Sequence, residues 1–445
     1  MSCVDVAIVI VALPGIQSDL HVQVSGLQWV TDAYLLVLSS AVLLAGATAD
    51  RWGRRRLFLV GLVLFIAGSA WCGLATSLGV LIAARVVQAC GAALIGPSSL
   101  SIVRHTFADP AERARAFVVW SAVFGVATAC APVLGGPLID LFGWRSVFFV
   151  NVPVGLVAVV AGRLVLPESR ARRPRRLDLP GQVFMVMFIA LLTYAVIEGS
   201  AMGWTDPVIL GAFAAGAMGL TGFIAAERRS PQPMLDLRYF ARPGFSTANV
   251  AVLLAFAVMA GFLFVISLYL QQERQLTPVS AGLALLPLPG AITLFAPLAG
   301  SWIARRGPHG PMIAAGLCIA AGAAMLASLS ASTPYPQLLG ALLLVGAGLG
   351  LINPPITTIA VAALPVDQAG VASAAAGAAR QIGNTLGVAV MGSMVGAQAT
   401  NQHLATRAPT ATTHGPFLLG ALLGLLMTGA AVYYRRREPH LVEAV

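Results

Sequence analysis

Apolar stretches of about 20 residues recur along the whole chain, each long enough to cross a bilayer as a helix. LFLVGLVLFIAGSAWCGLA (57–75) and VAVLLAFAVMAGFLFVISLYL (250–270) are two of them. Hydrophobic types make up 58% of the 445 residues and charged types only 10%. A soluble domain carries about 25% charged residues. The sequence therefore specifies an all-α polytopic membrane protein.

Fourteen spans can be placed: 1–14, 27–49, 57–75, 79–102, 116–139, 145–166, 181–199, 207–226, 246–270, 279–304, 311–330, 337–363, 371–397 and 416–434. The net charge is +10, and with no lysine in the chain all 27 basic residues are arginine. A basic balance can mark nucleic-acid binding, but these arginines lie in short loops between spans. Of the 27, 21 fall after even-numbered spans or at the C-terminus with Arg163 at the same face, 22 in all, and three (Arg145, Arg274 and Arg407) fall on the opposite side. The positive-inside rule then predicts fourteen spans with both termini in the cytoplasm. No nucleic-acid partner is expected. Cys3, Cys72, Cys90, Cys130 and Cys318 show no CxxC spacing and read as apolar packing residues.

The two longest cytoplasmic linkers, 167–180 and 227–245, bracket spans 7 and 8. GATADRWG (46–53) follows the second span of the first six, and GSWIARRG (300–307) follows the second span of the last six. The expected architecture is a six-helix bundle over 1–166, a two-helix insert with linkers over 167–245, a second six-helix bundle over 246–435 and a cytoplasmic tail, 436–445. Parallel repeats of this kind mark transporters with a substrate site at the interface between halves.

Four ionisable residues fall well inside the spans: Asp5, Asp32, Arg85 and Arg380. Each costs about 2.5–3.5 kcal/mol at the bilayer centre and normally faces a cavity or a partner. A carboxyl here can take a proton from one side and release it to the other, or attract a cation while ionised. Asp5 and Asp32 are candidates for that role. The alternative for both is a structural ion pair or a helix-end position. Arg85 can supply a fixed positive charge beside a carboxylate or snorkel outward, and Gln88 shares its face. Arg380 lies about ten residues, roughly 15 Å, into span 13, with Asn384 one turn on.

The loop after span 2 places Asp50 between Gly46 and Gly53 at a helix C-terminus, where negative charge is unfavourable unless paired. Arg51 or Arg54 can pair it, which makes a plausible gate latch. Span 5 gathers Gly125, Pro132 and Gly136, residues that allow close helix approach or a bend. Span 12 offers Asn353 beside Pro354 and Pro355. There is no GxxxxGK[ST] loop and no HExxH, so neither an ATP site nor a zinc peptidase site is encoded.

These residues together resemble the major facilitator superfamily, and within it the fourteen-span drug/proton antiporters of the QacA and EmrB type. VDVAIVIVALP resembles their first-span signature with Asp5 at its aspartate, though Ala7 and Ile10 stand at positions usually polar. LQWVTDAYLL is similar to the second-span motif with Asp32 at its acid. GATADRWGRRR is similar to the loop motif, with Thr48 where leucine is usual. LIAARVVQACGAA resembles the fourth-span arginine motif, and GVATACAPVLGG the antiporter motif, with Ala131 before Pro132. FFVNVPVG and RQIGNTLGVAV are further landmarks. Extra acids found in the second half of some exporters of cationic drugs are replaced here by Ile292, Gly377 and Gln381.

The resemblance implies a bundle that alternates between inward- and outward-open states and exports hydrophobic or amphipathic compounds in exchange for protons. Asp5, Asp32 and Arg85 would couple protons. Gln88, Asn353, Arg380 and Asn384 would line the substrate cavity. Gly46, Asp50, Arg51, Gly53, Arg54, Gly125, Pro132 and Gly136 would serve the conformational change. No cofactor is expected, since the proton gradient supplies the energy. The expected partners are a small amphipathic substrate, protons and the lipid bilayer, with the chain acting as a monomer in the cytoplasmic membrane. The rival functions are a dedicated exporter of a self-made natural product, a non-transporting membrane receptor or scaffold, and a proton-coupled importer. Span 1 is expected to begin upstream of Met1, because 14 residues cover about 21 Å of a core about 30 Å thick.

Overall fold

The computed structural model of the protein describes residues 2–107, 109–170, 178–230, 236–330, 332–364, 369–402 and 414–442, and no strand occurs among them. The first helices are α1 (Ser2–Leu20), α2 (Val24–Trp52), α3 (Arg54–Gly73), α4 (Leu78–Thr106), α5 (Pro110–Phe142), α6 (Ser146–Phe149), α7 (Asn151–Val165), α8 (Leu179–Met202) and α9 (Pro207–Arg229). A 3₁₀ turn, Leu237–Ala241, leads into α10 (Pro243–Leu268), which ends in a π turn, Tyr269–Glu273. There follow α11 (Pro278–Leu285), α12 (Pro287–Arg306), α13 (His309–Leu326), α14 (Tyr335–Ala362), α15 (Ala369–Gln402) and α16 (His414–Val442).

Ten of these helical segments are long and apolar enough to cross a membrane, with an eleventh if the two arms of bent α2 count as one. The protein is multi-pass. The sequence expectation was fourteen. Segments 2–14, 116–139 and 371–397 are helical, within α1, α5 and α15, but lie outside that count. In hydrocarbon every backbone group needs an internal partner, which is why the apolar runs fold as helices. Short polar residues start several of them. Asp109 accepts from the Glu112 amide at 2.9 Å, and Asp206 accepts from Val208 at 2.7 Å, just ahead of Pro207.

One boundary differs from expectation. Span 1 was expected to end at Pro14, yet α1 runs through it to Leu20. Proline removes one backbone donor and crowds the preceding turn, but packed membrane helices tolerate this.

The chain forms two compact units. The first comprises Met1–Ala195, Thr205–Met234 and Thr277–Leu283, and the second Val196–Trp204, Leu235–Leu276 and Ala284–Val445. In the first, small residues bring backbones into contact. A Cβ on Gly68 would lie 2.5 Å from the backbone nitrogen of Gln88, and one on Gly91 would lie 2.4 Å from that of Phe65. Thus α3 and α4 pack with no side chain between them, the geometry small residues permit in membranes. In the second unit α10 and α15 do the same. A Cβ on Gly383 would meet the Leu253 carbonyl at 2.3 Å, and one on Gly387 the Ala257 carbonyl at 2.1 Å.

Candidate functional site

The centre of the first unit holds a buried polar cluster assembled from six helices. Asp5 enters from α1, Ser69 from α3, Arg85 and Gln88 from α4, and Asn151 opens α7; all are at most 4% exposed. Arg85 Nη1 donates to Asp5 Oδ2 at 2.5 Å and to Gln88 Oε1 at 2.7 Å, while its Nε donates to the Val30 carbonyl of α2 at 3.1 Å. Asp5 Oδ1 accepts from Gln88 Nε2 at 2.7 Å and from Asn151 Nδ2 at 3.0 Å. Ser69 Oγ accepts from both amides, at 3.2 and 3.1 Å, and donates to the Phe148 carbonyl of α6 at 2.8 Å. The guanidinium lies 4.2 Å over the Tyr34 ring and 5.8 Å from that of Phe148. A buried ion pair is tolerated when hydrogen bonds satisfy its remaining donors and lone pairs, and this one has them.

Asp32 is also fully buried, yet neither carboxylate oxygen has a hydrogen-bond partner among the described residues. The two acids expected to work together therefore sit in different chemistry: Asp5 is neutralised, and Asp32 is bare. Charge on a bare buried carboxyl is costly until a proton, a cation or a donor arrives. Gln88, expected in the substrate cavity, has its amide committed to Asp5, Arg85 and Ser69.

At the C-terminal end of α2, Arg54 rather than Arg51 pairs Asp50, with Nη2 at 2.7 Å and Nε at 3.0 Å from Oδ1. Arg51 is exposed. Gly53 joins α2 to α3 at φ +116°, a conformation that favours glycine. Gly46 packs near Pro97 of α4. Sequence reasoning missed the acid that closes this loop. Glu168, after α7, accepts from the amides of Arg55 and Arg56 at 3.3 Å each and from Ser169 at 3.0 Å. A carboxylate over the first turn of α3 satisfies orphan donors and the helix dipole. Arg54 N donates to the Ser169 carbonyl at 3.0 Å, and Arg55 Nη2 to the Arg163 carbonyl at 2.6 Å. The signal was an acid at the end of span 6 facing a run of arginines.

A second missed cluster ties the other end of the unit. Asp19 accepts from Arg145 Nη1 at 2.7 Å and Trp144 Nε1 at 3.1 Å, and Arg145 Nη2 donates to the Ala75 carbonyl at 3.1 Å. These bonds, Arg145 first and Trp144 second, hold the Asp19 carboxyl below its usual value of 3.8.

Gly136 lies in α5 where a Cβ would fall 2.5 Å from Val279 Cα, and its neighbour Gly135 makes a similarly close approach to Ile8 of α1. Gly125 and Pro132 are within the helical range of α5, but their side chains lie outside the described residues.

In the second unit Arg380 of α15 is half-buried, its guanidinium 4.6 Å over the Phe256 ring of α10. Stacking of this kind is worth about 0.5–2 kcal/mol, less than the cost of about 2.5–3.5 kcal/mol for a midspan arginine. Asn384 Nδ2 donates to Gln381 Oε1 at 3.0 Å. Asn353 donates to the Leu349 carbonyl of its own helix at 3.1 Å.

The sequence matches the Major Facilitator Superfamily over residues 1–388. The chain belongs to that superfamily. It is 39% identical over 397 residues to the multidrug resistance protein Stp of Mycobacterium tuberculosis, covering 89% of this chain and 74% of that protein. It is 38% identical to the tetracenomycin C resistance and export protein of Streptomyces glaucescens, over 88% of this chain and 73% of the relative. The methylenomycin A resistance protein of Streptomyces coelicolor is 36% identical, over 88% and 82%. In fold the chain is similar to a bacterial homolog of the human lysosomal transporter Spinster. That TM-score is 0.69 at 18% identity, covering 98% of this chain and 94% of the other.

This superfamily chain is a transporter rather than an enzyme. Its two units carry unlike charge: a saturated ion pair and a bare acid in the first, a stacked arginine in the second.

Proposed function

We propose that the chain exports hydrophobic or amphipathic drugs and antibiotics across the cytoplasmic membrane, driven by protons moving inward and with no cofactor. The observation that carries this reading is the contrast in the first unit between Asp5, held by Arg85 at 2.5 Å, and Asp32, buried with no hydrogen-bond partner among the described residues. A carboxyl that trades a proton for another positive charge, beside an ion pair that senses neutralisation, is what coupling requires. One charge crossing 100 mV is worth about 2.3 kcal/mol, enough to drive a substantial concentration gradient. Relatives named for multidrug resistance and antibiotic export support the substrate class.

The finer architecture is proposed with it: fourteen spans of the QacA and EmrB type, both termini cytoplasmic, working as a monomer. The arginine distribution supports this, as does the helical state of the described residues in the expected segments. A dedicated natural-product exporter is the second reading, favoured by the relative named for both resistance to and export of one compound, tetracenomycin C.

The test is gradient-driven uptake of a dye into everted membrane vesicles. Asp5→Asn and Asp32→Asn should each abolish proton-coupled uptake. Full coupled transport by both variants would remove the proposal. A compound panel in an efflux-deficient host, with and without an uncoupler, separates broad efflux from a dedicated exporter.

A further inference from the structure

We propose that Asn151 is a positioning residue that reads the protonation state of Asp5. Its side-chain amide meets the carboxylate with an N–H and turns over to meet the protonated acid with its oxygen. Ser69 passes the change on to the Phe148 carbonyl, at the junction of α6 and α7. This deepens the reading of Asp5 as a proton-coupling acid and rests on it.

The three side-chain atoms that bond the Asp5 carboxyl among the described residues are all nitrogens that donate. Arg85 Nη1 reaches Oδ2 at 2.5 Å, and Gln88 Nε2 and Asn151 Nδ2 reach Oδ1 at 2.7 and 3.0 Å. This shell fits the ionised form. A protonated carboxyl carries an O–H that needs an acceptor, so one of the three groups must give way. The Arg85 guanidinium has no acceptor to offer. The Gln88 amide is committed at all four of its bonding positions. Its Nε2 donates to Asp5 and to Ser69 Oγ at 3.2 Å, and its Oε1 accepts from Arg85 Nη1 at 2.7 Å and from Cys72 Sγ at 3.8 Å. Turning it over would set N–H against guanidinium N–H. Asn151 is different. Both its N–H groups are used, on Asp5 and on Ser69 Oγ at 3.1 Å, but its Oδ1 accepts no hydrogen bond among the described residues. A half-turn of the amide therefore gives Asp5 an acceptor and breaks no bond at that oxygen.

The reversal reaches the backbone. Ser69 Oγ accepts from Asn151 and Gln88 and donates to the Phe148 carbonyl at 2.8 Å. With Oδ1 facing it, the hydroxyl hydrogen turns from Phe148 to Asn151, and a carbonyl at the end of α6 loses a donor. The proton comes from the gradient. The amide and the hydroxyl only rotate, and the one covalent bond formed is the O–H of Asp5.

Other ionisable groups on the surrounding helices do not take this part. Cys72 of α3 bonds Gln88, and the Tyr34 ring of α2 lies 4.2 Å from the Arg85 guanidinium. Asp32 of α2 makes no hydrogen bond to the network. Cys90 of α4 is exposed, as are Cys130 and Asp140 in the C-terminal half of α5. The ionisable residue of α6 and α7 is Arg163, about 18 Å along the helix from Asn151, and Asp19 is about 21 Å along α1 from Asp5.

The sequence holds five asparagines, so the full chain labelled with nitrogen-15 on asparagine gives five side-chain amide signals. Asn151→Ser assigns the one in question. Between about pH 9 and about pH 4 that signal should shift in one step, and its cross-peak to the Ser69 β-hydrogens should be lost in the same step. Asp5→Ala should abolish the step. If that variant does not fold, Asp5→Ala with Arg85→Gln serves. Amide hydrogen exchange across 145–155, corrected for the intrinsic effect of pH, should run roughly tenfold faster below the step than above it, the worth of one hydrogen bond. Ser69→Ala should remove that difference. A signal that shifts while the cross-peak persists, or that shifts equally without Asp5, overturns the reversal. Equal exchange on both sides of the step overturns the relay through Ser69. No step in the wild-type chain, beside transport that Asp5→Asn and Asp32→Asn both abolish, removes the switch and leaves proton-coupled export. A step that depends on Asp5, beside full coupled transport by both variants, keeps the switch and removes that reading.

Discussion

Asn151 donates to Oδ1 of Asp5 at 3.0 Å, joining residues 146 positions apart. Asn151 begins α7, and its amide also reaches Ser69 at 3.1 Å. It is a positioning residue, fixing the carboxylate that Arg85 neutralises. Asn151→Ala should destabilise the protein by about 1–3 kcal/mol, the cost of leaving buried acceptors short of a donor. It should also shift the pH optimum of gradient-driven transport. Asn151→Asp, which sets like charge against Asp5, should be worse on both counts. A lowered melting temperature with an unchanged pH profile would reduce Asn151 to a packing role.

The Asp5–Arg85 pair makes a coupled prediction. Asp5→Asn or Arg85→Gln alone leaves one buried charge uncompensated and should cost about 3–5 kcal/mol. The double variant removes both charges and should recover a good part of that stability, though not transport. Thermal melting of the three variants in one detergent checks this. Losses that simply add would mean that the two charges do not depend on each other.

Gly53 and Glu168 meet at the loop between α2 and α3. A Cβ on Gly53 would lie 2.7 Å from Glu168 Oε1, and the residue's φ of +116° strains any L side chain. Gly53→Ala should therefore cost more than 1 kcal/mol, since the backbone cannot relax as a side chain can. Glu168→Gln keeps the shape and removes the charge over the start of α3. It should cost about 0.3–1 kcal/mol and lose its effect as salt is added. Melting curves at low and high ionic strength separate the two.

Much of the fold was readable because the bilayer imposes one rule: an apolar run must become a helix. Hence the described residues of each expected segment lie mostly in helix, with 145–166 and 279–304 each broken into two, and Asp5, Arg85 and Gln88 stood out as polar residues in apolar runs. Partner choice was harder. Nothing in the local sequence of Asn151 says that it meets Asp5, since that contact depends on the docking of α7 against α3 and α1. Glu168 and Asp19 escaped for the same reason: acids outside the apolar runs carry no cost that marks them. The separation of Asp32 from the Asp5 network was equally hidden, because two acids on neighbouring spans read alike until their donors are known.

Asp19 supplies a pH prediction. Hydrogen bonds from Arg145 and then Trp144 lower its carboxyl below 3.8. A depressed carboxylate contributes stability that is fully present above the unfolded value and is lost as pH falls through the folded one. Asp19→Asn should therefore lower the melting temperature at neutral pH, and the difference from wild type should shrink only below about pH 3.8. Half-exposed at 45%, the pair is screened by solvent, so the effect should be small. A difference that closes between pH 7 and 5 would mean that another group is responsible.

The approach of α15 to α10 sets where Arg380 stands, and two glycines of one helix test it. A Cβ at Gly387 would lie 2.1 Å from the Ala257 carbonyl, too close without moving one helix away from the other. Gly377, ten residues earlier, has nothing within 4 Å of the corresponding point. Alanine is the better helix former by roughly 0.5–1 kcal/mol, so Gly377→Ala should be neutral or slightly stabilising. Gly387→Ala should cost about 1–3 kcal/mol through overpacking. Melting curves on both variants check the pair. Equal behaviour of the two would mean that the helices do not touch backbone to backbone.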